Sequence, residues 1–343
     1  MKKKQYINFL LCFAFFVLVV FSAVAESDEG QLILDKYTAP DQLGQPFLTS
    51  VRPFTGNVKE ESVSKEVQDI ISAYRQLTIK AYDIDGIHIY DVYKNDGKKK
   101  PILIYLHPFG NSRDFFLWWG TEQKKWFGKA SFNDYTKAGI RVITVDAAGL
   151  GSSDVGPIDY LPSQAETVHY IDRIIEYYNT VSDVDATKFA LQGFSMGADI
   201  ALAYIAHGSY KPTVVISESG IVDKTLTPDV LLYACFDHGK VVDHNIMSKE
   251  QIKTFAERYS PNQWLEKFKD VYILAGCGMD ENDANRKDLN DANIKDLKIF
   301  EAKLNELGYK NFQLVYEKNH GHSPLDYVSR DGLSVLKKTL LKK

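Results

Sequence analysis

Cysteine is scarce in this chain, 3 residues in 343, so no dense disulfide framework holds it together. Cys12 lies in an apolar leader, which leaves Cys235 and Cys277. One bridge between them is permitted and nothing requires it; two unpaired thiols fit equally well. An excess of basic charge is also missing. Lys and Arg number 41 against 45 Asp and Glu, a formal net charge of −4, which argues against nucleic acid or an anionic membrane as partner. No phosphate-binding loop and no nucleotide fingerprint occur. His238 and His244 have no metal-like partners at suitable spacing. The acid-rich tract 280–291 (DENDANRKDLND) lacks the glycine and the closing glutamate of a calcium loop, and reads as a solvated loop. These absences leave no metal site to expect. Internal repeats and low-complexity tracts are absent too. What remains is an ordinary globular composition, 45% hydrophobic and 25% charged, enough for a sizeable core in one large α/β domain.

Residues 1–25 stand apart. Lys2, Lys3 and Lys4 precede the almost wholly apolar stretch 7–22, and Ala23-Val24-Ala25 has the small-residue form of a cleavage site. A cleaved signal peptide is expected, and with it an extracytoplasmic protein, secreted or periplasmic. The apolar run is close to spanning length, so an uncleaved membrane anchor is the alternative. Cleavage would leave 38 basic against 45 acidic residues, a net charge of −7.

Residues 26–77 read as an N-terminal arm followed by a helix over 60–77, on the spacing of Val63, Val67, Ile70, Ile71 and Tyr74. Residues 78–93 alternate on both sides of Asp85-Gly86, the signature of a β-hairpin. From there strands and helices alternate. Strands are predicted at 101–106 (PILIYL), 141–145 (RVITV), 188–192 (KFALQ), 213–217 (TVVIS), 271–274 (VYIL) and 312–316 (FQLVY). Helices are predicted at 163–178, opening with a Ser163-x-x-Glu166 capping box, and at 196–207, with Gly208 as a C′ residue. Two more are expected, one over 297–307 that stops at Gly308 and one over 333–341. This rhythm predicts an α/β fold, a mainly parallel sheet wound on both faces, occupying residues 78–343. A tract of nearly fifty residues at about 222–270, with a helix opening at Ser248-x-x-Gln251, predicts a small helical cap.

The sharpest feature is GFSMG at 193–197. A strand-to-helix turn this tight strains the serine's backbone, and side chains two residues away on either side would meet neighbouring main chain. Glycine is therefore needed at both places. The turn also sets Ser195 at a helix N-terminus, where unpaired N–H groups favour developing negative charge. Gly-x-Ser-x-Gly arises by chance about once in ten chains of this length, so its strand–turn–helix context carries the inference.

Sites in open α/β sheets form at the carboxyl ends of strands. The residues just past those ends are His107-Pro108-Phe109-Gly110, Asp146 to Ser153, Ser195, Glu218, Asp280 with Asp283, and His320 with His322. With its H-x-F-G turn at 107–110, D-x-x-G-x-G-x-S at 146–153, GFSMG, a late acid and Gly-His-Ser-Pro at 321–324, the chain resembles an α/β-hydrolase from about residue 78 onward. Within that superfamily it is most similar to small serine esterases and to the catalytic domains of prolyl-oligopeptidase-type peptidases.

Serine is a poor nucleophile unless a base takes its proton, and the base needs an acid to fix its tautomer. Ser195, His322 and Asp280 are the expected triad, with His320 as the alternative base and Asp283 or Glu218 as alternative acids. The resemblance implies Gly-x-x-Asp after this strand; here the third residue after Gly276 is Met279, one short of Asp280. The oxyanion hole should use the N–H of Met196 and one from the 107–110 turn. The family commonly has glycine after that turn's histidine. Pro108 stands there and has no N–H, so Phe109 is the expected donor, with Gly110 as alternative, and His107 braces the loop. Phe115, Phe116, Trp118, Trp119, Trp126 and Phe127 come next, either as core packing or as a pocket wall. The expected activity is hydrolysis of a small carboxylic ester through an acyl-enzyme, with no cofactor and no membrane partner once the leader is removed. A peptidase using the same machinery, or a catalytically silent binding module on this scaffold, are the alternatives. With only about fifty residues between leader and hydrolase portion, there is no room for the propeller that gates larger prolyl peptidases.

Overall fold

The computed structural model describes Gln31, Ile33 and residues 54–74, 76–118, 131–242, 245–279, 287–318, 320–322 and 327–341. The leader and most of the arm lie outside these, as do Asp280, Asp283, His244, Trp119, Trp126 and Phe127.

The chain opens with β1 (Val58–Glu61), α1 (Lys65–Ser72), β2 (Leu77–Ile84), β3 (Ile87–Lys94) and β4 (Lys100–Leu106). Then come α2 (Ser131–Lys137), β5 (Arg141–Val145), β6 (Ile158–Asp159), α3 (Tyr160–Asn179), β7 (Val184–Phe194), α4 (Met196–His207) and β8 (Val214–Glu218). After β8 lie α5 (Asp229–Leu232), β9 (Cys235–Asp237), β10 (Lys240–Val242) and α6 (Lys249–Tyr259). The chain closes with β11 (Tyr272–Gly278), α7 (Lys287–Glu306), β12 (Phe312–Glu317) and α8 (Leu333–Leu340).

Among the described residues nine strands form one sheet in the order β1-β2-β3-β5-β4-β7-β8-β11-β12. The run from β5 to β12 is parallel, and β1 to β3 add an antiparallel edge. β4, β5 and β8 are buried along their whole length, which is why apolar residues dominate each without alternating. Helices cover both faces. α3, α4 and α7 pack on one side with Ile171, Ile200 and Phe300 in the core; α1, α2 and α8 close the other with Ile71, Phe132 and Leu336.

Several local expectations need correction. Residues 60–77 are not one helix: β1 pairs with β2 before the shorter α1 begins. α3 starts at Tyr160, before the Ser163-x-x-Glu166 box, and the Ser163 hydroxyl donates instead to the Ala148 carbonyl at 2.6 Å. Gly208 is extended, with φ −71° and ψ 152°; it is glycine because a Cβ there would lie 2.4 Å from the Tyr204 ring. α7 begins at Lys287, so the end of the acid-rich tract is helical rather than loop. The inserted tract holds α5 and α6, with the Ser248–Gln251 capping box formed, and also two strands that join β6 in a small sheet ordered β10-β9-β6. Cys235 and Cys277 are buried and unbridged. Among the described residues no helix is long and apolar enough to cross a membrane, and no cluster of His, Cys, Asp and Glu is placed to hold a metal ion.

Candidate active site

Ser195 sits between β7 and α4 with φ 55° and ψ −119°. A non-glycine residue rarely adopts this region, so the neighbours must hold it there. The Ser195 N–H donates to the Glu218 carbonyl at 2.8 Å, and its own carbonyl accepts from the Asp199 N–H at 3.0 Å. A Cβ at Gly193 would lie 2.1 Å from the Gly197 carbonyl oxygen, and one at Gly197 would lie 2.0 Å from the Leu106 carbonyl oxygen. Both glycines of the pentapeptide thus permit contacts closer than any side chain allows.

The loop after β12 brings His322 to the serine, with Nε2 2.8 Å from Ser195 Oγ. Both side chains are buried. A ring nitrogen at this distance accepts the hydroxyl proton when it is itself unprotonated. His320 turns elsewhere, its Nε2 3.9 Å from Glu317 Oε2. The Phe194 ring lies 5.3 Å from the His322 ring, and Phe115 stacks against Phe194 at 6.3 Å. Of the aromatic tract, Phe116 packs into the core on Tyr105 at 3.9 Å, Phe115 flanks the site, and Trp118 is 41% exposed.

Asp280 and Asp283 lie outside the described residues, but the chain immediately before them is fixed. Met279 donates its N–H to the Glu317 carbonyl at 2.9 Å, extending the β11–β12 pairing. A Cβ at Gly278 would lie 2.1 Å from the His320 carbonyl oxygen and 2.3 Å from that of Gly321, so the end of β11 runs directly against the histidine loop. Glu218 is buried, and its Oε1 accepts from Gln192 Nε2 at 3.0 Å. Its charge helps raise the hydroxyl pKa values of Tyr105, Tyr135 and Tyr327, after burial, which is the larger cause for each.

The turn after β4 rests on the first turn of α4, because the Leu106 and His107 carbonyls are the groups a Gly197 Cβ would strike. That contact sets the start of α4 against the Leu106-His107 segment that leads into the turn. His107 is 1% exposed; its Nε2 accepts from the Ala147 N–H at 3.0 Å, so Nδ1 carries the proton and donates to the Pro108 carbonyl at 2.9 Å. Burial holds this imidazole below its ordinary pKa, which keeps it neutral and fixes the tautomer. A second tie runs from the Arg113 N–H to Asp146 Oδ1 at 2.7 Å, while Asp146 Oδ2 accepts from the Ser152 N–H at 3.0 Å. His107 and Asp146 therefore bind the turns after β4 and β5 together.

One buried polar cluster escaped the reading of the sequence. Asp199, in the first turn of α4, accepts from Tyr160 Oη at 3.1 Å, Gln164 Nε2 at 3.3 Å and the Ile221 N–H at 2.6 Å, with Lys224 Nζ at 3.5 Å. Asp296 on α7 accepts from the N–H groups of Val222 and Asp223. Burial pushes Asp199 up and Lys224 down in pKa, each towards neutrality, and their mutual attraction opposes this. The signal available was a lone acid in the otherwise apolar run MGADIALAYIA.

No protein-family model matches this sequence, and no curated protein matches it. Solved structures do. An acetyl xylan esterase from Paenibacillus sp. R4 is 13% identical with a TM-score of 0.54, over 94% of this chain and 98% of its own. TT1662 from Thermus thermophilus is 16% identical with a TM-score of 0.52, over 78% of this chain and 99% of its own. The acylaminoacyl peptidase from Pyrococcus horikoshii is 13% identical with a TM-score of 0.54, over 82% of this chain but 45% of its own. With the sheet order and the serine elbow already described, these likenesses show that the chain has the α/β-hydrolase fold.

Proposed function

We propose that this chain is an exported serine hydrolase that cleaves small carboxylic esters through an acyl-enzyme. The observation that carries the reading is the buried Ser195–His322 pair, 2.8 Å apart at a strained elbow. Ser195 Oγ attacks the ester carbonyl carbon as its proton passes to His322 Nε2, forming a tetrahedral oxyanion. The N–H groups of Met196 and Phe109 receive that charge. His322 then gives the proton to the departing alkoxide oxygen, and a water molecule, deprotonated by the same nitrogen, attacks the acyl carbonyl and restores Ser195. Asp280 orients His322. This choice is supported by the contact of Gly278 with the His320 and Gly321 carbonyls, which sets the chain beside the histidine loop two residues before Asp280. No cofactor enters any step. Residues 1–25 act as the leader and are removed, leaving an extracytoplasmic protein whose partner is the ester, with no nucleic acid and no membrane.

The test uses protein beginning at Glu26, a fluorophosphonate label and p-nitrophenyl acetate. Wild type should be labelled and should turn over the ester; Ser195→Ala should do neither. Preferential cleavage of aminoacyl or proline-containing amides would make the chain a peptidase. Absence of both labelling and turnover in wild type would leave a binding module on a hydrolase scaffold.

A further inference from the structure

We propose that Phe236 and Tyr160 are positioning residues for the oxyanion turn, so that the small sheet built by the inserted tract acts on the reaction through Phe109. The inference rests on the hydrolase reading. Because Pro108 has no N–H, the first amide of the turn able to face an oxyanion belongs to Phe109. The residue that supplies this amide also supplies a ring, and the ring is held. Phe109 lies 5.2 Å from the Phe236 ring and 6.1 Å from the Tyr160 ring, and those two are 6.4 Å apart. The three interplanar angles fall between 50° and 57°, and all three centroid distances lie in the range of interacting aromatic pairs. Phe236 and Tyr160 are fully buried.

Each of the two holding rings is fixed in turn. Tyr160 donates its N–H to the Ala234 carbonyl at 2.9 Å and its hydroxyl to Asp199 Oδ2 at 3.1 Å, one turn of α4 beyond Ser195. Phe236 is the middle residue of the middle strand, paired with Ile158 on one side and Val241 on the other. The small sheet is itself seated on the turn after β5. A Cβ at Gly149 would lie 2.4 Å from Ile158 Cγ2 and 3.1 Å from Phe236 Cβ, and the Gly239 N–H donates to the Gly149 carbonyl at 2.9 Å. The Phe109 ring is thus referred both to the helix that carries the nucleophile and to a sheet that cannot shift without breaking backbone contacts. Freeing the ring frees the amide, and a misplaced donor loses the transition state more than the bound ester.

The experiment compares Phe236→Ala, Phe236→Leu and Tyr160→Phe with wild type on p-nitrophenyl acetate. Inhibition by a trifluoromethyl ketone, whose adduct with Ser195 carries an oxyanion, is measured alongside. Phe236→Ala should lower kcat by about tenfold to a hundredfold. Its KM should stay within about threefold, and ketone affinity should fall in step with kcat/KM. Phe236→Leu, which refills most of the space, should recover most of the loss, and Tyr160→Phe, which keeps the ring but loses the tie to Asp199, should fall between. Wild-type kcat and ketone affinity in Phe236→Ala, with only a lower melting temperature or a changed KM, would overturn the proposal. Should Phe236→Ala fail to fold, Tyr160→Phe decides alone: a lower kcat at unchanged KM supports the proposal and wild-type kcat overturns it. Fluorophosphonate labelling of wild type separates the two readings. An unlabelled wild type sinks the hydrolase reading; a labelled wild type with an unimpaired Phe236 variant sinks only this one.

Discussion

Ser195 is kept in a conformation that costs a serine about 1–3 kcal/mol, and it stays there because its surroundings over-determine it. Its N–H and carbonyl are both hydrogen-bonded, and the glycines on either side let β7, α4 and the end of β4 close around it. Strain of this kind lifts Oγ clear of the main chain, and His322 meets it there. The acid is the residue whose role a substitution most directly decides. With Asp280 as the orienting carboxylate, Asp280→Asn should lower kcat by about four orders of magnitude, because the amide leaves the imidazole in the wrong tautomer. Glu218→Gln changes a side chain already held by Gln192 and should cost about tenfold or less. Steady-state kcat on one ester measures both, and reversal of the order would move the triad acid to the end of β8. Ser195 was legible in the sequence because its constraint is local, two glycines within five residues. The choice of His322 over His320 rests on its place in Gly-His-Ser-Pro after the last strand; what enforces it is how the loop after β12 lies against Gly278, a contact between residues more than forty apart in the chain.

Elements differ in how much of their identity is local. β4 and β5 are buried on both faces, so composition alone marks them, and their observed bounds fall within a residue of the apolar runs. β1 and the strands of the small sheet span two to four residues and exist only through their partners, so no periodicity announces them. α3 misleads for a different reason. The Asp159 side chain makes no cap bond to it; the carboxylate instead accepts from the N–H groups of Ile246 and Met247, so a tertiary contact uses the group that would have signalled the helix start. Two glycines show how much the cause of a constraint matters. Gly308 has φ +71° with open space around it, so Gly308→Ala should cost about 1 kcal/mol in conformational strain. Gly197→Ala would drive a Cβ to 2.0 Å from the Leu106 carbonyl oxygen and 2.9 Å from that of His107. Relief requires α4 to move away from the oxyanion turn, at about 3 kcal/mol or more. Urea denaturation should rank the two variants in that order, and only Gly197→Ala should also lose turnover.

At the scale of the molecule, the far end of the nucleophile helix is tied to the inserted tract by a histidine that must stay neutral. His207 Nε2 donates to the Tyr259 carbonyl at 2.9 Å, and the ring stacks on Tyr259 at 4.8 Å and meets Trp264 edge-on at 6.0 Å. Burial pushes its pKa down to about 3 from an ordinary 6.5. The unfolded chain therefore binds this proton first as pH falls. The stability that neutral His207 contributes is complete above pH 6.5 and drains away towards pH 3, with about 2 kcal/mol gone by pH 5. Buried carboxyls oppose it, Asp172 and Asp296 among them. Burial raises Asp172 and Asp296 to about 6, above their unfolded value, so each favours the folded state as pH drops through the same range. The pH dependence of wild type is therefore a difference between opposed contributions, and a variant at one site isolates one of them. His207→Gln keeps a donor for the Tyr259 carbonyl; it loses the ring contacts, a cost that does not vary with pH, and removes the titration. From pH 7 to pH 5 its unfolding free energy, measured in urea, should gain about 2 kcal/mol relative to wild type over the same interval. Parallel pH profiles for the two proteins would mean that His207 accepts a proton in place, and that the joint between α4 and the inserted tract is wetter than its geometry indicates.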